Sequence, residues 1–276
     1  MRSHHVLYRL ICRGVSAAAV TLAVPAIAAL TGLPAASAGS SARYVALGDS
    51  YSSGVGAGSY HSSSGSCDRS ANAYPEQWAA SNAPASFTSV ACSGATTSDV
   101  LNSQVSALHS GTTLVSITIG GNDARFSSIM ETCVLESDSR CLSAISGAES
   151  FVASQLPAKL DTTLKTIRAD APTARIIVLD YPEFYDLSKS STCIGISTAK
   201  RTAIDQGADQ LDGAISAAAA RNGDTFTDVR SHFAGHEICD SGSWLHSVTL
   251  PIDESYHPTA IGQQLGYLPA FSAAAR

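Results

Sequence analysis

Charge is scarce in this chain, at 14% of 276 residues, and positive charge is the scarcer sign. Residues 1–38 hold Arg2, Arg9 and Arg13 and no acid; without them 14 basic residues face 23 acidic ones, a net charge of −9. A surface this acidic repels phosphates, which excludes nucleic acid as a natural partner. Long apolar runs are missing after about residue 33, so nothing beyond that point reads as a membrane span. Also absent are internal repeats, linker-like stretches, a C-x-x-C pair and any G-x-S-x-G turn. The last absence argues against the nucleophile elbow of the α/β-hydrolase type.

The one long apolar run, Val15 to Leu33, follows the basic start and is interrupted by Pro25 and Gly32. Ala36-Ser37-Ala38 then offers small residues where a signal peptidase cuts. Residues 1–38 are therefore expected to be an export leader. Residues 39–276 form one domain, long enough for a single sizeable core.

Removing Cys12 with the leader leaves six cysteines: Cys67, Cys92, Cys133, Cys141, Cys193 and Cys239. An even number in an exported chain reads as three disulfides, and the sequential pairing closes the shortest loops. The rival reading is a zinc site at His232, His236 and Cys239, which have ligand-like spacing. It lacks an accompanying C-x-x-C, and oxidation would claim its thiol.

Two textures alternate along residues 39–276. Short β-rich runs occur at Tyr44–Leu47, Phe87–Ala91, Leu114–Ile119, Arg175–Leu179 and Thr225–Val229. Helical patterns lie between and after them. Tyr74–Ala80 has Pro75 in its first turn, and Leu156–Ala169 places Leu156, Leu160, Leu164 and Ile167 at steps of three and four. Thr198–Arg221 carries an apolar stripe from Ala203 to Ile215, with Asn222-Gly223 to end it; Thr259–Phe271 is the last helix. Near-continuous apolar strands alternating with helices indicate an α/β fold whose parallel sheet is covered on both faces. Functional groups then belong at the carboxyl ends of the strands. Tyr181–Ser197 reads as an insertion whose Tyr181, Phe184 and Tyr185 could line a pocket, and Ser59–Ser66 as a surface loop.

Three motif blocks fall at such strand ends: Gly48-Asp49-Ser50, Ala91-Cys92-Ser93-Gly94 and Gly120-Gly121-Asn122-Asp123. A serine hydroxyl becomes nucleophilic when it projects from a tight turn toward a base. Gly94 can present a bare N–H, and Asn122 an amide N–H, to a developing oxyanion. Taken singly, Asp49-Ser50 also reads as a helix cap, and the two glycine blocks as ordinary turns. A fourth block, Ile252-Asp253-Glu254-Ser255-Tyr256-His257-Pro258, precedes the final helix. Among six histidines after the leader, His257 stands out because it lies in a loop beside acids that could orient its ring.

In this order and spacing, the four blocks resemble the SGNH (GDSL) hydrolase family, especially the secreted lipases, esterases and phospholipases of actinomycetes. Ser50 matches the block-one serine, Gly94 the block-two glycine, Asn122 the block-three asparagine and His257 the block-five histidine. The resemblance implies a flavodoxin-like three-layer α/β/α sandwich around a five-stranded parallel sheet. It implies Ser50 as nucleophile, His257 as general base, and an oxyanion hole from the Ser50 N–H, the Gly94 N–H and the Asn122 side chain. No metal and no organic cofactor are implied. One departure matters: the family usually has aspartate three residues before its histidine, and here Glu254 stands there. Some secreted relatives use a main-chain carbonyl instead, which would be that of Ser255, so dyad and triad both remain open.

The expected activity is hydrolysis of acyl esters of lipids, as a lipase or esterase, with phospholipase A1 the alternative. Polysaccharide deacetylation would want more exposed tryptophan than Trp78 and Trp244 offer. A catalytically silent secreted binding module is the non-enzymatic alternative. The expected partner is a lipid or small ester, met by a monomer with transient contact at a lipid interface.

Overall fold

The computed structural model describes residues 41–189 and 193–276. The expected leader, 1–38, lies outside the described residues, as does part of the Tyr181–Ser197 insertion. Five strands form one all-parallel sheet: β1 (Arg43–Gly48), β2 (Ser86–Ser89), β3 (Leu114–Thr118), β4 (Arg175–Leu179) and β5 (Thr225–Thr227). Their spatial order is β2-β1-β3-β4-β5. The order reverses between β1 and β3, where doubly wound sheets open a crevice at the strand carboxyl ends.

Burial explains which strands announce themselves. From Leu114 to Thr118 every residue of β3 is buried, and in β1 and β4 only the first arginine is exposed. Such strands carry apolar side chains on both faces. The edge strands β2 and β5 are partly open and correspondingly short. The run expected over Thr225–Val229 ends at Thr227, because the Val229 N–H turns away to the Asp180 carboxylate at 2.7 Å. Beyond the end of β2, Val90 and Cys92 still donate to Ala46 and Gly48 of β1, at 2.9 and 3.0 Å.

The helices are α1 (Ser50–Ser53), α2 (Tyr74–Asn82), α3 (Thr97–Asp99), α4 (Phe126–Leu135), α5 (Asp138–Ser154), α6 (Leu156–Asp170), α7 (Thr198–Asn222), α8 (Arg230–Phe233) and α9 (Leu268–Ala274). One layer, α2 with α9, packs aromatic side chains on the sheet: the Tyr44 ring lies 5.4 Å from Trp78 and 5.3 Å from Phe271. The other layer, α6 and α7, is aliphatic, with Leu156, Leu160, Leu164 and Ile167 buried beside Ile204, Leu211 and Ile215. The last helix begins as a wide turn over Gly262–Tyr267, in which the Leu268 N–H reaches back five residues to Gln263. It runs on to Ala274, past the expected end at Phe271. A side chain at Gly266 would overlap the Phe233 ring, so only glycine lets this helix approach so closely.

Two helices, α4 and α5, occupy a stretch where the sequence pattern indicated none. Ser137 caps α5 by accepting the Arg140 N–H, and the buried positions Cys141, Ile145 and Val152 form a sparse stripe. The pair is clamped at its turn by the Cys133–Cys141 disulfide. The Lys200 ammonium of α7 adds to the clamp, donating to the Cys133 and Glu136 carbonyls at 2.8 and 2.6 Å. The other bridges are Cys67–Cys92 and Cys193–Cys239, in sequential order.

Candidate active site

β1 stops at Gly48, whose φ of +121° only glycine adopts comfortably and whose missing side chain makes room for the Thr118 carbonyl. The buried Gln104 amide holds this peptide from both sides, accepting the Gly48 N–H at 2.7 Å and donating to the Gly48 carbonyl at 2.8 Å. Asp49 then caps α1 by accepting the Tyr51 N–H at 3.1 Å. Ser50 opens that helix, and Gly54 ends it one turn later.

Across the crevice, the segment 245–258 folds back on itself. Leu245 bridges Pro258, the His246 N–H donates to the His257 carbonyl at 2.9 Å, and the Tyr256 N–H donates to the His246 carbonyl at 3.1 Å. Tyr256 takes a left-handed φ of +64°, which turns the preceding carbonyl back toward the imidazole. As a result the Ser255 carbonyl accepts from His257 Nδ1 at 3.1 Å, while Nε2 lies 2.7 Å from Ser50 Oγ. This arrangement fixes the tautomer: Nδ1 carries the proton, and Nε2 presents its lone pair to the serine hydroxyl. The Tyr51 hydroxyl donates to the Tyr256 carbonyl at 2.6 Å, tying the histidine segment to α1.

Ser50 and His257 are only 7% and 8% exposed. Burial pushes the imidazole down to about 4, against a smaller upward pull from the Ser255 carbonyl, so it is neutral at ordinary pH. Asp49, the residue before Ser50, is buried and is pushed up to about 6, although the Tyr181 and Thr118 hydroxyls and the Tyr51 N–H all donate to it. Burial and the Asp49 carboxylate hold the Tyr181 phenol well above the ordinary tyrosine range, so it remains a donor.

Among the described residues, neither the Ser50 N–H nor the Gly94 N–H has an acceptor. Gly94 has φ +77° and open space where a side chain would project. The Asn122 amide donates to the Ala95 carbonyl at 3.0 Å, which joins the block after β3 to the block after β2. Its amide has a second N–H. The Cys67–Cys92 bridge and the Ser93 N–H, donating to the Cys67 carbonyl at 3.1 Å, anchor the Gly94 turn.

Glu254, the other candidate for orienting His257, is engaged elsewhere: its Oε1 accepts from the Tyr60 hydroxyl at 2.7 Å. Of the two groups left open for orienting His257, the Ser255 carbonyl is the one that meets Nδ1 in this structure, because the chain turn at Tyr256 brings the main chain, and not the Glu254 side chain, to it. The zinc reading fails as well. Cys239 is bonded to Cys193, and His236 stacks on Trp244 at 3.7 Å with Nδ1 facing the Gly242 carbonyl.

A pocket of about 730 Å³, its open mouth included, runs inward from Ser50 and Asn122. Its walls are Ile129 and Met130 of α4, Ile145 and Val152 of α5, and Ile204 and Leu211 of α7. Tyr181 and Phe184 complete it, as the sequence suggested. Tyr185 does not line it; its hydroxyl pairs with that of Tyr256 at 3.2 Å, and its ring lies under the Arg201 guanidinium. Sequence reasoning missed Gln104 and most of the pocket wall. For the wall that α4 and α5 build, the only available signal was the Ser137-Asp138 cap.

Known proteins share both sequence and geometry. Lipase 1 of Streptomyces coelicolor is 55% identical over 259 residues, spanning 92% of this chain and 96% of that one. The solved structure of phospholipase A1 from Streptomyces albidoflavus superposes with a TM-score of 0.82 at 55% identity, over 84% of this chain and 98% of that one. The extracellular lipase of Streptomyces rimosus gives 0.82 at 53% identity, with the same coverage. A family model described as GDSL-like Lipase/Acylhydrolase matches residues 46–265, which takes in all four motif blocks. A serine turn after β1, glycine and asparagine turns after β2 and β3, and a histidine before the last helix thus place the chain in the GDSL-like lipase/acylhydrolase family.

Proposed function

We propose that this protein hydrolyses acyl esters of lipids as a lipase or esterase, through an acyl-enzyme on Ser50. The observation that carries the reading is the 2.7 Å contact between a neutral, buried His257 and the Oγ of Ser50, which lines an apolar pocket. His257 Nε2 takes the hydroxyl proton as Oγ attacks the ester carbonyl carbon. The oxyanion is met by the Ser50 N–H, the Gly94 N–H and the free N–H of Asn122, donors fixed in place before charge develops. Collapse of the tetrahedral adduct expels the alcohol, which leaves with the proton held on Nε2. Water then repeats the sequence: His257 takes its proton, the hydroxide adds to the acyl carbon, and Ser50 leaves reprotonated with release of the acid.

The chemistry asks for a pocket that desolvates a hydrocarbon chain, and walls of Ile129, Met130, Ile145 and Val152 suit one. An acetyl group is too short to use walls contributed by three helices, which weighs against polysaccharide deacetylation. Phospholipase A1 activity is the second reading, favoured by the likeness to the Streptomyces albidoflavus enzyme. Export is proposed as well, from three disulfides and the likeness to an extracellular lipase, with the chain working as a monomer. The test is fatty-acid release from triacylglycerol and from phosphatidylcholine labelled in one chain, comparing wild type with Ser50→Ala. Release by wild type alone is expected; equal or no release by both proteins would overturn the reading.

A further inference from the structure

Tyr181 does more than line the pocket. It stands two residues past β4, with its N–H donated to Asp212 Oδ1 at 3.2 Å and its ring packed edge-on against Tyr51 at 4.9 Å. Its hydroxyl reaches both halves of the crevice. It donates to Asp49 Oδ2, and it accepts the Gly121 N–H at 3.2 Å. Asp49 and Gly121 immediately precede Ser50 and Asn122. One phenol oxygen is thus bonded to the residue before the nucleophile and to the residue before the oxyanion-donating asparagine.

We infer that Tyr181 is a positioning residue, a strut whose hydroxyl sets the separation between the Ser50 turn and the Asn122 turn and so the width of the oxyanion hole. This rests on the ester-hydrolase reading of the site. The strut is rigid for three reasons. The Tyr181 ring is buried at 4% exposure and clamped by Tyr51. The Asp49 carboxylate is held on its other oxygen by the Tyr51 N–H and the Thr118 hydroxyl. Gly121 also leaves no slack, because a methyl added there would meet the Tyr181 hydroxyl oxygen at 3.3 Å. A hydrogen bond preorganises catalysis only if the donors it spaces are both used in the transition state, so the strut should matter through Asn122 or not at all.

The experiment is a double-mutant cycle with Tyr181→Phe and Asn122→Ala, assayed on a soluble p-nitrophenyl ester. Tyr181→Phe keeps the ring and removes both hydrogen bonds. It is expected to lower kcat about tenfold, with KM within about twofold. Placed on Asn122→Ala it should cost less than about twofold more, because no second donor is then left to space. An equal tenfold loss in both backgrounds, a loss confined to KM, or no loss would each overturn the strut. Gly121→Ala approaches the same contact from the other side, and covers the case in which Tyr181→Phe fails to fold. It should lower kcat at unchanged KM; wild-type kcat in it would count against the proposal. Ser50→Ala, assayed alongside, separates the two failures: an active Ser50→Ala protein defeats the hydrolase reading, whereas an inactive one with an additive cycle defeats only the strut.

Discussion

Acid is the sharpest probe of the Ser50–His257 pair. The His257 imidazole lies at about 4 against an ordinary 6.5, because burial disfavours its charged form. A carboxylate on Nδ1 would have compensated with a full negative charge; the Ser255 carbonyl at 3.1 Å supplies only a dipole. The displacement corresponds to about 3 kcal/mol in favour of the neutral base. kcat/KM toward a soluble ester reports groups of the free enzyme. It should therefore hold as pH falls through 6.5 and reach half its value near 4. Glu254→Gln should leave both the midpoint and kcat within about threefold, less than 1 kcal/mol. Thermal stability is the wrong assay, as the signs make clear. The unfolded histidine takes its proton near 6.5 and the folded one near 4, so this group's contribution to stability is lost as pH falls between those values. Asp49 runs the other way: folded at about 6 and unfolded at 3.8, it adds stability as pH falls through the same window. The two oppose each other, and Asp180 and Asp205, each pushed up to about 7 by burial, titrate alongside them, so a melting midpoint would register the sum of all. The rate profile registers the base, with circular dichroism at each pH confirming the fold. An inflection near 6 that disappears in Asp49→Asn belongs to Asp49. An acid limb at 6.5 or above, in folded protein, would refute the carbonyl-only account of His257.

Ser50→Ala should lower kcat at least about 10³-fold, and a serine-directed phosphonate should label Ser50 alone; an adduct on another serine would move the nucleophile. Asn122→Ala should cost about 10²–10³-fold in kcat with little change in KM, and a change confined to KM would make Asn122 a binding residue. Ala208 lines the pocket from α7, so Ala208→Leu should lower kcat/KM for a hexadecanoyl ester relative to a butanoyl ester by about tenfold or more. Equal losses on both esters would take the acyl chain out of that pocket. Gly266→Ala drives a methyl into the Phe233 ring and should destabilise the fold by about 1–3 kcal/mol in a denaturant titration; an unchanged midpoint would mean that the last helix packs less closely.

What the sequence reveals here follows the range of the interactions involved. The central strands were legible because β1, β3 and β4 are buried on both faces and are therefore mostly apolar, Ser116 and Thr118 of β3 being the hydroxyl-bearing exceptions. Ser50 and His257, 207 residues apart, were legible only as a constellation, since each block alone has a bland reading. The part of the pocket wall built by α4 and α5 was not legible. α5 buries few large side chains, and what holds it against α4 is a disulfide and an ammonium from α7, neither of which leaves a periodic trace. Gln104, and the hydrogen bond of Tyr181 to Asp49, were hidden for a related reason: the partners at Gly48 and Asp49 lie 56 and 132 residues away, and nothing local marks a side chain for such a role.

The group that orients His257 is the extreme case. Every residue carries a carbonyl, so a main-chain acceptor has no side-chain signature. Glu254, which has one, occupies the position where a carboxylate would be expected. The choice is made by two other residues: Tyr60, which takes the Glu254 carboxylate, and Tyr256, whose left-handed backbone swings the Ser255 carbonyl onto Nδ1. Position 254 can therefore change its acid without changing the base, provided the turn at Tyr256 survives. That turn is itself held by the Tyr51 hydroxyl on the Tyr256 carbonyl and by the Tyr256 N–H on His246. Substitution at Tyr51, far from the imidazole in sequence and bearing no charge, should consequently disturb the acid limb of the rate profile more than substitution at Glu254.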